Sequence, residues 1–148
     1  MNQIDLKHKK AVVTGGAQGI GLAIAELMID SGATVSLWDQ DQKLVNETAT
    51  RLSSKGKVDA VTVDVSDLDS VKNAVIQTKK FMDGIDILIC NAGISGPNAK
   101  LWDYPPEDWQ KIMNININGV FNCLSTVTPI MIENNYGRIV NVSSVAGK

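Results

Sequence analysis

The feature that most constrains the fold is a regular alternation of short β-branched runs with longer segments of helical spacing. The first run, Ala11 to Thr14, is apolar at consecutive positions, which is typical of a strand buried on both faces. Strands are predicted at 11–14, 34–39, 60–65, 85–91 and 138–143. The pattern predicts an α/β fold with a doubly wound parallel sheet of the Rossmann type, in the order 3-2-1-4-5.

The segments between these runs carry apolar residues three and four positions apart, which predicts helices. They cover about 19–30, 44–56, 68–82 and 106–133. Ser66 or Asp67 is expected to cap the third helix, and Pro129 is expected to kink the last one or end it early. Two stripes are predicted to face the core, one of Leu68, Val71, Val75, Thr78 and Met82, the other of Trp109, Met113, Val120, Leu124, Val127 and Met131.

Composition excludes several classes of protein. The 148 residues carry a net charge of −2, which provides no basic surface for nucleic acid or an anionic membrane. No apolar run approaches the roughly 20 residues of a spanning helix, and the N-terminus lacks a signal peptide, so a cytoplasmic location is expected. Cys90 and Cys123 lie in apolar surroundings, which indicates reduced thiols. His8 is the sole histidine, so no metal site is expected.

A glycine-rich turn joins the first strand to the first helix and reads Thr14-Gly15-Gly16-Ala17-Gln18-Gly19-Ile20-Gly21. Gly15 permits a tight turn, Gly19 lets a pyrophosphate approach the backbone, and Gly21 lets the helix pack close to the sheet. The N–H groups at the start of the helix would then face the phosphates. The turn, with Gln18 and Ile20, therefore predicts a dinucleotide site, with a ligand-free glycine turn as the alternative.

Asp39 ends the second strand, where a carboxylate can accept hydrogen bonds from both hydroxyls of an adenosine ribose. The same charge would repel a 2′-phosphate, and no Lys or Arg stands in the glycine turn or just after Asp39. The sequence therefore predicts NAD(H) in preference to NADP(H). The alternative is a solvated acid at a strand end.

Thr14-Gly15-x-x-x-Gly19-x-Gly21, followed by Asn91-Ala92-Gly93 after the fourth strand, resembles the single-domain branch of the short-chain dehydrogenase/reductase family. The resemblance covers essentially the whole chain. It implies that Asp64 and Val65 flank the adenine, although Asp64 could simply start a turn. It also implies that Asn91, Ala92 and Gly93 support the fourth strand and the central part of the cofactor, with Cys90 standing where the family often has another asparagine.

Two further segments resemble segments of the family that contain catalytic residues. Asn116-Ile117-Asn118-Gly119 resembles the family's Asn-x-x-Gly segment, which implies that Asn116 holds a water beside the active-site lysine. Its place in the apolar stripe also indicates a buried amide, which needs a dedicated hydrogen-bond partner. The alternative is a purely structural buried asparagine, which would need such a partner as well. Ser144, in Asn141-Val142-Ser143-Ser144, is implied to orient the substrate oxygen. The alternative is a plain turn at the end of the strand.

The family's Tyr-x-x-x-Lys pair is absent from these 148 residues, because Asp108 and Val140 stand four positions after the only tyrosines, Tyr104 and Tyr136. We therefore expect residues 1–148 to form a single, incomplete dinucleotide-binding domain, the N-terminal portion of a longer enzyme and inactive when isolated. The fifth strand should be an open edge, and the long helix should expose an apolar face.

These residues together predict an NAD(H)-dependent oxidoreductase that transfers hydride between nicotinamide and a small alcohol or ketone. The resemblance implies a homotetramer or homodimer. Two alternatives stay open: a non-catalytic dinucleotide-binding protein or partner subunit, and a doubly wound domain without a nucleotide. The substrate itself is not identifiable from these residues.

Overall fold

The computed structural model describes residues 4–145 and contains a parallel five-stranded sheet. Its strands are β1 (Lys10–Thr14), β2 (Thr34–Asp39), β3 (Val58–Thr62), β4 (Ile87–Cys90) and β5 (Arg138–Asn141). Every paired neighbour runs parallel, and the order is β3-β2-β1-β4-β5. The predicted fold class and strand order are confirmed.

Helices connect the strands and cover both faces of the sheet. They are α1 (Gly19–Asp30), α2 (Gln42–Leu52), α3 (Leu68–Met82), α4 (Pro106–Met113) and α5 (Gly119–Glu133). A π-helical turn, Asn114–Asn118, joins α4 and α5 into one long helix, and a short 3₁₀ turn, Leu101–Asp103, precedes α4. Asp67 caps α3 by accepting from the backbone N–H groups of its first turn, as one of the two predicted caps.

The core consists of two layers, one on each face of the sheet. Alternate residues of β1 explain the division, because Ala11 and Val13 pack with α1 and α2 while Val12 packs with α3 and α5. Burial on both faces accounts for the unbroken apolar run that the sequence shows in β1.

Four strands differ in extent from their predictions, β1 only by beginning one residue earlier, at Lys10. The third was predicted at 60–65 but lies at Val58–Thr62, because its partner β2 ends at Asp39, opposite Thr62. Residues 63–65 have strand-like or turn-forming side chains, but they follow Thr62, the last residue of β3 that pairs with β2. β4 and β5 likewise end at Cys90 and Asn141, short of their predicted ends, and α2 ends at Leu52 rather than near Gly56.

The long helix corrects two expectations. It continues through Pro129 to Glu133, so of the two outcomes predicted at that proline, a kink or an early end, the early end is wrong. The inner stripe includes Trp109, but this residue is 54% exposed, because α4 contributes no buried residue and the buried face of the long helix begins only at Gly119. Val127 and Met131, after the turn, are buried as predicted. In α3, Leu68 is 39% exposed, because it is the first residue of the helix, at the rim of the core.

The open edge and the apolar face were both predicted, and both are present. All four residues of β5 are exposed, and the outer side of the long helix exposes Ile117, Phe121 and Ile132. By length and composition, the helix Pro106–Glu133 could cross a membrane, contrary to the expectation that no segment reaches that length. This is weak evidence, because core helices of soluble proteins also meet that criterion and part of this one packs on the sheet.

Candidate functional site

A cleft of about 370 Å³ opens beside the carboxyl ends of β1, β2 and β4. β1 lies between β2 and β4 in the sheet, so β2 and β3 are on one side of it and β4 and β5 on the other. The cleft therefore lies where the strand order reverses. The structure brings together nine of the predicted site residues in its lining: Gly15, Gln18, Ile20, Asp39, Asp64, Val65, Asn91, Ala92 and Gly93.

The glycine turn forms one wall, and its backbone requires glycine at two positions. Gly15 and Gly19 have φ of +61° and +56°, in the left-handed region that a side chain disfavours. Beyond its own helix and chain neighbours, no described heavy atom lies within 4 Å of where a Cβ of Gly19 would be. Gly19 therefore faces open space. At Gly21, by contrast, a Cβ would collide with the carbonyl oxygen of Gly15, so α1 packs directly on the turn as predicted.

The start of α1 forms an electropositive end at this wall. Its N-cap residue, Gln18, makes no side-chain capping bond, and its first turn carries no acidic residue. The N–H of Leu22 donates to the carbonyl of Gln18 at 3.1 Å, and the N–H groups before it have no acceptor within the helix. Such a helix start favours an anion.

Asp39 is half-buried at the far end of the cleft and is tied to the glycine turn. One carboxylate oxygen accepts from the N–H of Ala17 at 3.2 Å, and the other accepts from the N–H of Asp41 at 3.2 Å. Asp64 lines the cleft as well, and none of the lining residues carries a positive charge. This end of the cleft is therefore acidic.

Asp64 also makes the turn that the alternative interpretation predicted. Its Oδ1 accepts from the N–H of Ser66 at 2.9 Å and from the Ser66 hydroxyl at 2.6 Å. Its own N–H donates to Ser70 Oγ at 3.1 Å. Asp64 therefore leads the chain from β3 into α3 while it lines the cleft.

A hydrogen-bond network joins the end of β4 to the glycine turn. Thr14 Oγ1 donates to the carbonyl of Ile89 and accepts from the N–H groups of Asn91 and Ala92, at 3.3, 2.9 and 3.0 Å. The Asn91 amide donates back to the carbonyls of Thr14 and Gly15, at 3.0 and 3.1 Å. Asn91 thus supports the two walls of the cleft by fixing them to each other. The part played by the Thr14 hydroxyl was not predicted.

Asn116 lies outside the cleft lining, in the π-helical turn. Its Oδ1 accepts from the N–H of Ile94 at 2.9 Å, and its Nδ2 donates to the carbonyl of Ile94 at 2.8 Å. The dedicated partner predicted for this amide is therefore the backbone that follows Gly93. Ile94 itself lines the cleft, so Asn116 fixes part of the wall from behind.

Ser144 is exposed and follows the carboxyl end of β5, so it lies at the same end of the strands as the cleft, but it too lies outside the cleft lining. Five lining residues were not predicted: Trp38, Gln40, Val63, Ile94 and Ile115. All five directly adjoin a predicted residue in sequence, so the neighbourhood of each predicted position was a usable signal. Ile115 does so next to Asn116, which lies outside the lining itself.

Both cysteines are free and lie in the core beneath the cleft. Burial raises the pKa of Cys90 to about 11 and, together with the proximity of Cys90, raises that of Cys123 to about 12. Both thiols are therefore protonated and unreactive at neutral pH.

The doubly wound sheet, with a glycine-walled cleft at its switch point, defines a Rossmann-like α/β domain. The family model "short chain dehydrogenase" matches residues 9–148. The chain belongs to the short-chain dehydrogenase/reductase family.

Similar proteins include oxidoreductases of differing substrates. The chain is 41% identical to 2-dehydro-3-deoxy-L-rhamnonate dehydrogenase (NAD(+)) of Sphingomonas sp. (strain SKA58), over 93% of this chain and 54% of that protein. It is 38% identical to 3alpha-hydroxysteroid dehydrogenase of Mediterraneibacter gnavus, over 95% of this chain and 57% of that protein. The crystal structure of NAD+-bound xylitol dehydrogenase superposes with a TM-score of 0.94 at 32% identity, covering 97% of this chain and 56% of that one. The chain thus spans about half the length of these relatives.

Proposed function

We propose that this chain is the cofactor-binding part of an NAD(H)-dependent oxidoreductase that interconverts a small alcohol and the corresponding carbonyl compound. The observation that carries the proposal is the pairing of the glycine turn with a carboxylate, Asp39. Gln18 and Ile20 line the same cleft as Asp39, and between them Gly19 is left-handed and faces open space at the helix start. Membership of an oxidoreductase family supports it. When bound, the nicotinamide supplies the hydride acceptor or donor.

The residues of the cleft fit such a cofactor. Gly19 and the N–H groups of the first turn of α1 would hold the diphosphate, because a Cβ is absent where the anion must approach. Asp39 would accept hydrogen bonds from the adenosine ribose, and Asp64 and Val65 would flank the adenine. The segment Asn91-Ala92-Gly93, fixed to the glycine turn by Thr14, would support the central part of the cofactor.

Two residues are assigned to the catalytic side of the proposal. Ser144 would donate a hydrogen bond to the substrate oxygen and so orient the carbon that exchanges hydride. Asn116 would hold the wall at Ile94 and, as the family resemblance implies, a water beside a lysine. We propose that the Tyr-x-x-x-Lys pair for proton transfer is supplied by a further part of the full protein, since the relatives are about twice as long.

The preference for NAD(H) follows from charge. Two unit charges about 4 Å apart repel by roughly 4 kcal/mol at an effective dielectric constant of about 20. Asp39 is partly exposed, so solvent and salt reduce this to about 1–2 kcal/mol, or roughly ten-fold in affinity. None of the residues that line the cleft carries a positive charge to offset the repulsion of a 2′-phosphate.

Fluorescence titrations with NADH and NADPH test this proposal. We expect the protein to bind NADH about ten-fold more tightly, and Asp39→Asn to lose most of that preference. Asp41→Asn is the matched control: it removes the same charge two residues away, outside the cleft lining, and asparagine can still cap α2. A preference for NADPH, or an unchanged ratio in Asp39→Asn, contradicts the assignment.

We also propose that the full protein is a cytoplasmic homodimer or homotetramer. The exposed apolar side chains of Ile117, Phe121 and Ile132 on the long helix support association, and the free cysteines support a reducing compartment. Sedimentation equilibrium of the full protein measures the assembly, and a monomer at micromolar concentration would refute it.

A further inference from the structure

The segment that follows β3 forms a wall of the cleft and lies beyond the paired residues of the sheet. β3 leaves the ladder at Thr62, yet the next three residues, Val63, Asp64 and Val65, all line the cleft. Val63 is tied to the end of β2, since its N–H donates to the carbonyl of Asp39 at 2.8 Å. Val65 lies further along and needs a different support.

That support comes from α5. Asn122 is 8% exposed, and its Nδ2 donates to the carbonyl of Val65 at 3.0 Å. Gly119 lies three residues earlier, on the same face of the helix, and is buried. A Cβ at Gly119 would lie 2.7 Å from Cγ2 of Val65, so only glycine allows α5 to approach this closely. One helix face therefore contacts both the backbone and the side chain of Val65.

We propose that Gly119 and Asn122 are positioning residues that set the adenine end of the cleft through Val65. The inference rests on the proposed function, which places the adenine beside Asp64 and Val65. Neither α5 residue lines the cleft, so their effect on a ligand passes through the segment they hold. An amide among the apolar core residues of α5 costs desolvation free energy, and its hydrogen bond to Val65 offsets that cost.

The experiment compares ligands that occupy different ends of the cleft. Affinities for NADH, 5′-AMP and nicotinamide mononucleotide are measured by direct titration and by competition, in the wild type, Asn122→Leu and Gly119→Ala. We expect both variants to weaken NADH and AMP about ten-fold and to leave nicotinamide mononucleotide within two-fold. Asn118→Ala is the control, since it also removes an amide hydrogen bond, to Asn114, on the exposed side of the same helix.

A second measurement keeps the proposal testable if Asn122→Leu folds poorly. Val65→Ala removes Cγ2, the methyl group that a Cβ at Gly119 would meet at 2.7 Å, so the loss of AMP affinity caused by Gly119→Ala should shrink at least three-fold in the Val65→Ala background. Additive losses in this cycle overturn the proposal, as does an equal loss for all three ligands in folded variants. If the wild type binds neither NADH nor AMP, the proposed function fails with it. If the wild type binds both and the variants are unchanged, only the present inference fails.

Discussion

Gly19→Ala separates a requirement of the fold from a requirement of the site. The left-handed backbone at this position costs a residue with a Cβ about 1–2 kcal/mol, and the reduced freedom of the unfolded chain returns part of it. The new methyl group meets open space, so no collision adds to that figure. The free energy of unfolding should therefore fall by only about 1 kcal/mol.

Cofactor affinity should fall by at least as much. The methyl group would occupy the space in which the diphosphate is proposed to approach the backbone. Overpacking of this kind costs about 1–3 kcal/mol, which corresponds to roughly 5- to 150-fold in the dissociation constant of NADH. Urea unfolding, followed by the fluorescence of the fully buried Trp38, measures stability, and a fluorescence titration measures NADH binding.

Gly21→Ala is the informative comparison. This residue has ordinary helical geometry, where alanine gains about 1 kcal/mol, but its Cβ would collide with Gly15 and lie 2.5 Å from Nδ2 of Asn91. Overpacking and the disturbed Asn91 hydrogen bond should outweigh the gain, for a net loss of about 1–3 kcal/mol of stability. The reasoning is refuted if Gly19→Ala binds NADH within two-fold of the wild type, or if it is the less stable variant of the two.

Two other perturbations test the surroundings of the cleft. Asn116→Ala removes both hydrogen bonds to Ile94 and should lower the free energy of unfolding by about 2 kcal/mol. Amide exchange at Ile94, measured by NMR, should become faster. Unchanged exchange there would show that other contacts hold the wall. Burial raises the pKa of the two cysteines to about 11 and about 12 from an ordinary 9.0, so the native protein should resist iodoacetamide at pH 8 while the urea-unfolded chain reacts. The stability that comes from keeping these thiols protonated is fully present below about pH 9 and is lost progressively as the pH rises from 9 to 11–12. Urea midpoints should therefore already fall between pH 8 and pH 10. A rising midpoint, or alkylation as fast in the native as in the unfolded protein, contradicts the assignment.

Long-range contacts explain what the sequence did not predict. The pattern predicts a third strand that reaches Val65, because a β-branched run looks the same whether or not a neighbouring strand is present to pair with it. The outward position of Trp109 follows from where α4 lies, since none of its residues is buried, and the spacing of apolar residues does not show where a helix leaves the core. The contact of Asn122 with Val65 joins residues 57 positions apart, and no local sequence pattern predicts it.

The sequence by itself determined the sheet order, the glycine turn and the place of Asp39, because each depends on local physics. Apolar periodicity sets where strands and helices form, right-handed crossovers set their order, and a left-handed turn needs glycine whatever surrounds it. Only the tertiary structure decided which side chains support the cleft from behind. Thr14 and Asn122 act through backbone groups that are distant in sequence, and hydrogen bonds of that kind exist only once the chain has folded.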